Sequence, residues 1–305
     1  MIEVRDLSKH FGSKVAVDHL TFTVNPGVVT GFLGPNGAGK STTMRLILGL
    51  DWPTTGTATI DGKPYRQLAQ PLRRVGALLE ARAVHNGRSA RDHLLFLAQT
   101  QGLPRRRVQE MIDLVGLSDV ASKRVGTFSL GMGQRLGIAA ALLGDPDVLV
   151  LDEPVNGLDP EGIVWARNLM KQLASEGRTV FVSSHLMSEM ALTADQLIVI
   201  GRGRLIAEAS TEAFVSGNSQ RAVLVRTPQP ERLTTALTGA GGLVEKGADG
   251  ALTVTQLDAP RIGELAAGEQ VVLHELTPQV GSLEEAFMEM TANSQEFGAQ
   301  RPVAQ

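Results

Sequence analysis

Cysteine is absent from the 305 residues, which excludes a disulfide framework and a thiolate metal site and suits a reducing cytoplasm. Excess charge of either sign is missing too. With 29 Lys plus Arg against 32 Asp plus Glu, the chain lacks the basic footprint that tight duplex binding needs, and nucleic acid is not an expected partner. Nor is there a long apolar run: the most apolar stretch, Gly137 to Gly144, is far short of the roughly 18 consecutive apolar residues of a membrane-spanning helix. The opening Met1-Ile-Glu-Val-Arg-Asp mixes charge into its first residues and lacks the apolar core of a signal peptide, so export is not expected. What remains is a cytoplasmic chain that could dock on a membrane subunit, of a length that suits two domains at about one per 100 to 200 residues.

Over the first 215 residues, short β-branched runs alternate with helical patterns, as in strands joined by crossover helices in a mostly parallel sheet. Val28 to Leu33 reads as a strand entering a glycine-rich loop, and Ser41 to Gly49 as the helix leaving it. Val148 to Leu151 is apolar throughout, as in a strand buried on both faces, and Thr179 to Ser183 and Gln196 to Ile200 look like two more. From Leu68 the pattern turns helical and charged, including Ala90 to Gln99 and Arg106 to Val115, and predicts a helical subdomain over about 68–145 inserted into the sheet domain. After Ser216-Gly-Asn-Ser-Gln the pattern restarts as a strand (Ala222 to Arg226), a helix (Glu231 to Thr238), strands near Leu243 and Leu252, a helix (Pro260 to Ala266) and a strand (Gln270 to Leu276). That order predicts a small α+β domain of the ferredoxin-like kind over 221–291. Ser282 to Met290 reads as a last helix opened by a Ser-Leu-Glu-Glu capping box, and 292–305 as a disordered tail.

The chemistry concentrates in Gly34-Pro35-Asn36-Gly37-Ala38-Gly39-Lys40-Ser41-Thr42. Glycines at this spacing let successive backbone N–H groups converge on phosphates, and the following helix adds its positive end. Lys40 supplies a point charge to the β and γ phosphates of ATP, Ser41 a hydroxyl where Mg²⁺ would sit, and Thr42 a further phosphate contact. Asp152, at the end of the buried strand, can hold the Mg²⁺ complex, and Glu153 is placed to polarise the attacking water. Taken alone, these two carboxylates also fit a helix cap followed by a solvated charge. Ser129 to Met132 is a second capped, glycine-containing helix start and a second potential anion site.

The ordered set Gly34 to Thr42, Ser129-Leu-Gly-Met-Gly-Gln-Arg135, Val148-Leu-Val-Leu-Asp-Glu153, Gly157-Leu-Asp159 and His185 resembles the nucleotide-binding domain of ABC transporters over roughly residues 1 to 215. The resemblance implies an α/β P-loop ATPase in which Ser129 and Gly131 bind the γ-phosphate of a nucleotide held by a second copy, so that two chains sandwich two ATP molecules. It further implies that His185 is the switch histidine contacting the γ-phosphate. Asp159 would be a loop aspartate linking the two sites, the alternative being a simple Asp-Pro turn.

Three departures from the family pattern stand out. Phe11 occupies the place of a tyrosine that stacks on adenine; its ring face can do the same, or it can pack in the core. Glu80 stands where most members have a glutamine that touches Mg²⁺ and couples to the membrane subunit; it can still coordinate a hard cation but adds negative charge. Leu130 replaces the first glycine of the usual Leu-Ser-Gly-Gly-Gln signature and Met132 its glutamine. Together with the small C-terminal domain, Glu80 makes the chain resemble the ATP-binding subunits of ABC-2 type exporters of drugs, antibiotics or lipids. That resemblance implies a separately encoded membrane permease at the inner face of the cell membrane, contacted by residues 82–99 with Leu94, Leu95 and Leu97 presented to it, the equal alternative for each leucine being that it fills the subdomain core. A soluble ABC ATPase of DNA repair would carry a long coiled coil, and a translation factor two cores in one chain. A regulatory or immunity ATPase stays open as the alternative.

Overall fold

The computed structural model describes residues 1–80, 83–218, 222–247 and 249–279, together with Leu283 and Phe287. The chain divides into two compact units, Met1–Thr211 and Glu212–Met290.

The first unit opens with strands β1 (Ile2–Phe11) and β2 (Lys14–Val24), continues through β3 (Val29–Leu33) and helix α1 (Lys40–Ile47), and returns in β4 (Thr55–Ile60). β2, β1 and β4 form an antiparallel sheet in that order. The chain then runs through α2 (Pro71–Arg74), β5 (Val75–Leu78), α3 (Ala90–Thr100), α4 (Arg105–Leu114) and α5 (Leu130–Leu142) to β6 (Val148–Asp152), α6 (Pro160–Ser175), β7 (Thr179–Ser183), α7 (Met187–Thr193), β8 (Gln196–Gly201) and β9 (Arg204–Ser210). A six-stranded sheet takes the order β5-β6-β7-β3-β8-β9. All its pairs are parallel except the β8–β9 hairpin, whose two-residue turn at Arg202 and Gly203 has both φ angles positive, as a type I′ turn requires.

The strands read from the sequence as buried on both faces are so except at Gln196, which is half-buried: Val148 to Leu151 of β6, all of β7 and Leu197 to Ile200 of β8 are buried, and β3 is buried throughout as well. Phe22 of β2, Phe32 of β3 and Phe181 of β7 stack in a tilted triad with centroids 5.0 to 5.8 Å apart, joining the antiparallel sheet to the parallel one in a single core. Each such ring pair contributes about 0.5–1.5 kcal/mol beyond the area it buries.

The sequence expectation for the stretch after residue 68 needs correction. The stretch from residue 68 is not helical throughout, because Val75–Leu78 forms β5, parallel to β6 at the sheet edge. Four residues flanked by Arg73, Arg74 and a loop are too few for periodicity to separate strand from helix. The helical region proper is α3 to α5, with Ser89 capping α3 through the Asp92 N–H and Ser129 capping α5 through the Met132 N–H.

In the second unit, α8 (Thr211–Asn218) spans the expected boundary near 215 and continues through Ser216 to Asn218, where a linker was expected. Then follow β10 (Ala222–Arg226), α9 (Pro230–Gly239), β11 (Leu243–Lys246), β12 (Leu252–Thr255), α10 (Ala259–Gly268) and β13 (Glu275–Gln279). The four strands are antiparallel in the order β11-β12-β10-β13, so the β-α-β-β-α-β succession closes into the split arrangement of a ferredoxin-like fold. Val223, Val225, Leu233, Leu237, Leu252 and Val254 form its core with Ile262 and Ala266.

The last strand begins later than the expected Gln270. Gln270 turns at positive φ, and the N–H groups of Gln270 and Val271 close α10 on the carbonyls of Ala267 and Ala266. The expected helix at 282–290 and the tail from 292 lie outside the described residues, except that Leu283 and Phe287 are helical and buried. Among the described residues no helix is long and apolar enough to cross a membrane.

Candidate nucleotide site

The loop between β3 and α1 forms one wall of a cavity of about 420 Å³, whose other walls include Phe11, Lys14, Ala16, Leu79, Asp152 and Glu153. Gly39 ends the loop at φ 104°, and a side chain there would place its Cβ 2.4 Å from the Ala16 carbonyl oxygen, so only glycine fits. No side chain caps α1. Its first N–H groups therefore lack a capping oxygen, and Lys40 to Thr42, which carry them, line the cavity, an arrangement that suits an anion.

Lys40 is buried, and its Nζ donates to the carbonyls of Gly34 at 2.6 Å and Pro35 at 3.3 Å. Burial pushes the ammonium pKa below the usual lysine value, against the opposing pull of the Glu153 and Asp152 charges. Ser41 Oγ donates to Asp152 Oδ2 at 2.6 Å, and Asp152 Oδ1 accepts from Ser183 Oγ. A hydroxyl and a carboxylate in contact at the cavity wall supply the hard oxygens that suit a small divalent cation.

Glu153 has φ 51°, in the left-handed region that costs a non-glycine residue roughly 1–2 kcal/mol. Its N–H donates to Ser183 Oγ at 3.1 Å, its carbonyl accepts from Gln134 Nε2 at 2.8 Å, and its Oε2 lies 2.7 Å from His185 Nδ1.

Phe11, Pro35 to Thr42, Asp152, Glu153 and, through Glu153, His185 are thus brought together. Phe11 is half exposed on the cavity wall, with Lys9 Nζ 4.9 Å from its ring centroid, and does not pack in the core. Leu79, rather than Glu80, lines the cavity; Glu80 is exposed beside it. Ser129 does not reach this cavity. It lines another, of about 340 Å³, with Asn86, Phe128 and Leu130, and Gly131 follows in the first turn of α5. Asp159 caps α6, its Oδ1 accepting from the Gly162 N–H at 2.9 Å.

Ser183 and Gln134 were not among the predicted site residues. Nothing in a serine closing an apolar strand, or a glutamine one turn into a helix, announces a bond to the backbone of Glu153. Of the three α3 leucines offered either to a membrane subunit or to the subdomain core, Leu94 is fully buried in the core; Leu95 and Leu97 are half-buried and Phe96 is exposed. The helix turns its Leu94 face to the subdomain core, so the outward apolar side chain is Phe96, under the Arg88 guanidinium.

Comparison with known proteins gives the family. Residues 17–156 match the model of the ABC transporter family, and residues 221–284 match a domain of unknown function, DUF8746. The chain is 36% identical over 299 residues to YhcH of Bacillus subtilis (strain 168), named as an uncharacterized ABC transporter ATP-binding protein, covering 97% of each. To the bacitracin transport ATP-binding protein BcrA of Bacillus licheniformis it is 44% identical over 211 residues, 68% of this chain and 69% of that one. A solved ATP-binding subunit of an ABC transporter superposes with a TM-score of 0.66 at 27% identity, over 71% of this chain and 92% of the other. The chain belongs to the family of ABC transporter ATP-binding proteins and is an ATPase of that family.

Proposed function

We propose that this chain binds MgATP between the phosphate loop of one copy and the Ser129 end of α5 of a second copy, hydrolyses it with Glu153 as base, and drives a separate permease that exports a drug, antibiotic or lipid. One observation carries the reading. Lys40, the Ser41–Asp152 pair and the Glu153–His185 pair converge on one cavity beside an uncapped helix N-terminus. The relatives named for ABC and bacitracin transport support the coupling to a permease.

In this reading Lys40 exchanges its two loop carbonyls for phosphate oxygens. The N–H groups that begin α1 hold the phosphates, and Phe11 offers its ring face to the base. Ser41 and Asp152 would hold Mg²⁺, the expected ligand Glu80 lying outside the cavity lining, and the bound cation would supply charge that neutralises the phosphates. Glu153 takes a proton from the water that attacks the γ-phosphorus as the bond to the β-phosphate oxygen breaks. His185 fixes the direction of that carboxylate through Oε2. Ser129 and Gly131 complete the site across the pair, where Asp159, at the start of α6, adjoins the shared interface.

Glu153→Gln keeps the shape and removes the base. ATP turnover should fall about 100-fold or more, in the range typical for loss of a general base, while ATP binding and ATP-driven self-association persist. Turnover at the parent rate would remove Glu153 from the role.

A further inference from the structure

Both peptide groups of Glu153 are held by side chains from other elements. Its N–H donates to Ser183 Oγ at the end of β7, and its carbonyl accepts from Gln134 Nε2 on α5. Between these anchors the residue sits at φ 51°, a conformation an L-residue keeps only when its surroundings impose it. The carboxylate direction follows from that backbone, because a change of φ swings the side chain away from His185 and from the cavity. Neither anchor is loose: Ser183 and Gln134 are both buried.

The two anchors differ in what carries them. Ser183 pairs with Asp152 across the β6–β7 ladder, and its hydroxyl also donates to the Asp152 carboxylate, so it belongs to the sheet. Gln134 belongs to the helix capped by Ser129. The same helix touches the segment after Glu153 a second time: Leu130 lies over Gly157, leaving no room for a Cβ there, and a Cβ on Gly131 would come 2.9 Å from the Gly157 carbonyl oxygen. Leu130, the departure from the usual signature, is thereby accounted for as the side chain that fills the space above Gly157.

We propose that Gln134 is a positioning residue that transmits the placement of α5 to the Glu153 carboxylate, with Ser183 as the fixed point on the sheet. The inference rests on the reading in which the Ser129 end of α5 meets the nucleotide of a second copy. Occupation of that end then bears on Glu153 through one side chain of the same helix, so each copy's base is set by the nucleotide its partner holds.

The test is Gln134→Met, which keeps the length and removes the donor. The Glu153 carbonyl also accepts from the Asn156 N–H, so the variant does not orphan it, and folding should be preserved. The expected result is a kcat lowered about tenfold or more, a factor set by loss of alignment at the reacting atom, with the KM for ATP and ATP-driven self-association within about twofold of the parent. Gln134→Glu, of the same size but presenting a carboxylate to the carbonyl, should give the same split, and it decides the matter if the Met variant does not fold. An unchanged kcat, or a KM that rises as kcat falls, overturns the proposal. Failure of the parent chain to hydrolyse ATP or to self-associate with it would instead remove the proposed function on which the inference rests.

Discussion

An ammonium group withdrawn from water at the mouth of an anion site is held at a cost until an anion arrives. Lys40 is in that position: burial lowers its pKa, and it donates to the carbonyls of Gly34 and Pro35. Binding of a triphosphate replaces two neutral acceptors with charged ones and so draws on interactions the free protein lacks. Lys40→Ala should therefore abolish the thermal stabilisation that ATP gives the parent, which for a ligand at 100 times its Kd amounts to about 2.7 kcal/mol. The free variant should melt close to the free parent. A normal ATP-induced rise in melting temperature for Lys40→Ala would show that the loop does not bind through this cation. Lysine, glycines and hydroxyl were legible in the sequence because their spacing is itself the chemistry. Ser183 and Gln134 were not, because they act on a backbone dihedral and a carbonyl, and neither is written in residue types.

Helix α3 adds a buried titratable group that the nucleotide site does not use. His93 sits one residue before Leu94 on its inner face, and its Nδ1 is buried with no hydrogen-bond partner among the described residues. Burial lowers its pKa, and the neighbouring Arg88 charge lowers it further. In the unfolded chain the ring protonates near the ordinary value of about 6.5. The folded protein resists protonation there, so this group's contribution is complete above that pH and is lost as pH falls through the lower folded value. His93→Leu should flatten the acid limb: between about pH 7.5 and pH 5.5 its melting temperature should fall less than the parent's, by the contribution this ring makes. Identical slopes would mean that acid lability comes from elsewhere. The helix itself was readable from its apolar spacing, but which leucine faces the core was not, since Leu94, Leu95 and Leu97 share one apolar stretch. β5 was hidden by its four-residue length. The antiparallel β1-β2-β4 sheet escaped a reading tuned to crossover units, its strands mixing buried and exposed residues with irregular register.

At the scale of the whole molecule, the phosphate loop and the Ser129 end of α5 open into different cavities of one chain. If each site takes one half from each copy, defects in different halves complement when the copies are mixed, whereas defects in one shared half do not. Lys40→Ala destroys the loop half and leaves the Ser129 half; Ser129→Arg blocks the latter and leaves the former. Each variant alone should be inactive. In an equal mixture with random pairing, half of the dimers become mixed pairs with one sound site of two, giving at most about a quarter of the parent rate, and less in proportion as Glu153 of that site depends on its own chain's blocked α5 end. Because mixing must exchange subunits, recovery should rise with total protein concentration and with ATP, both of which favour association. A mixture as inactive as its components, under conditions where the parent self-associates, would mean that the loop and the helix end serve separate purposes within one chain. Recovery would make α5 the element through which one copy completes the other's site, and it would give Gln134 a physical signal to carry to Glu153.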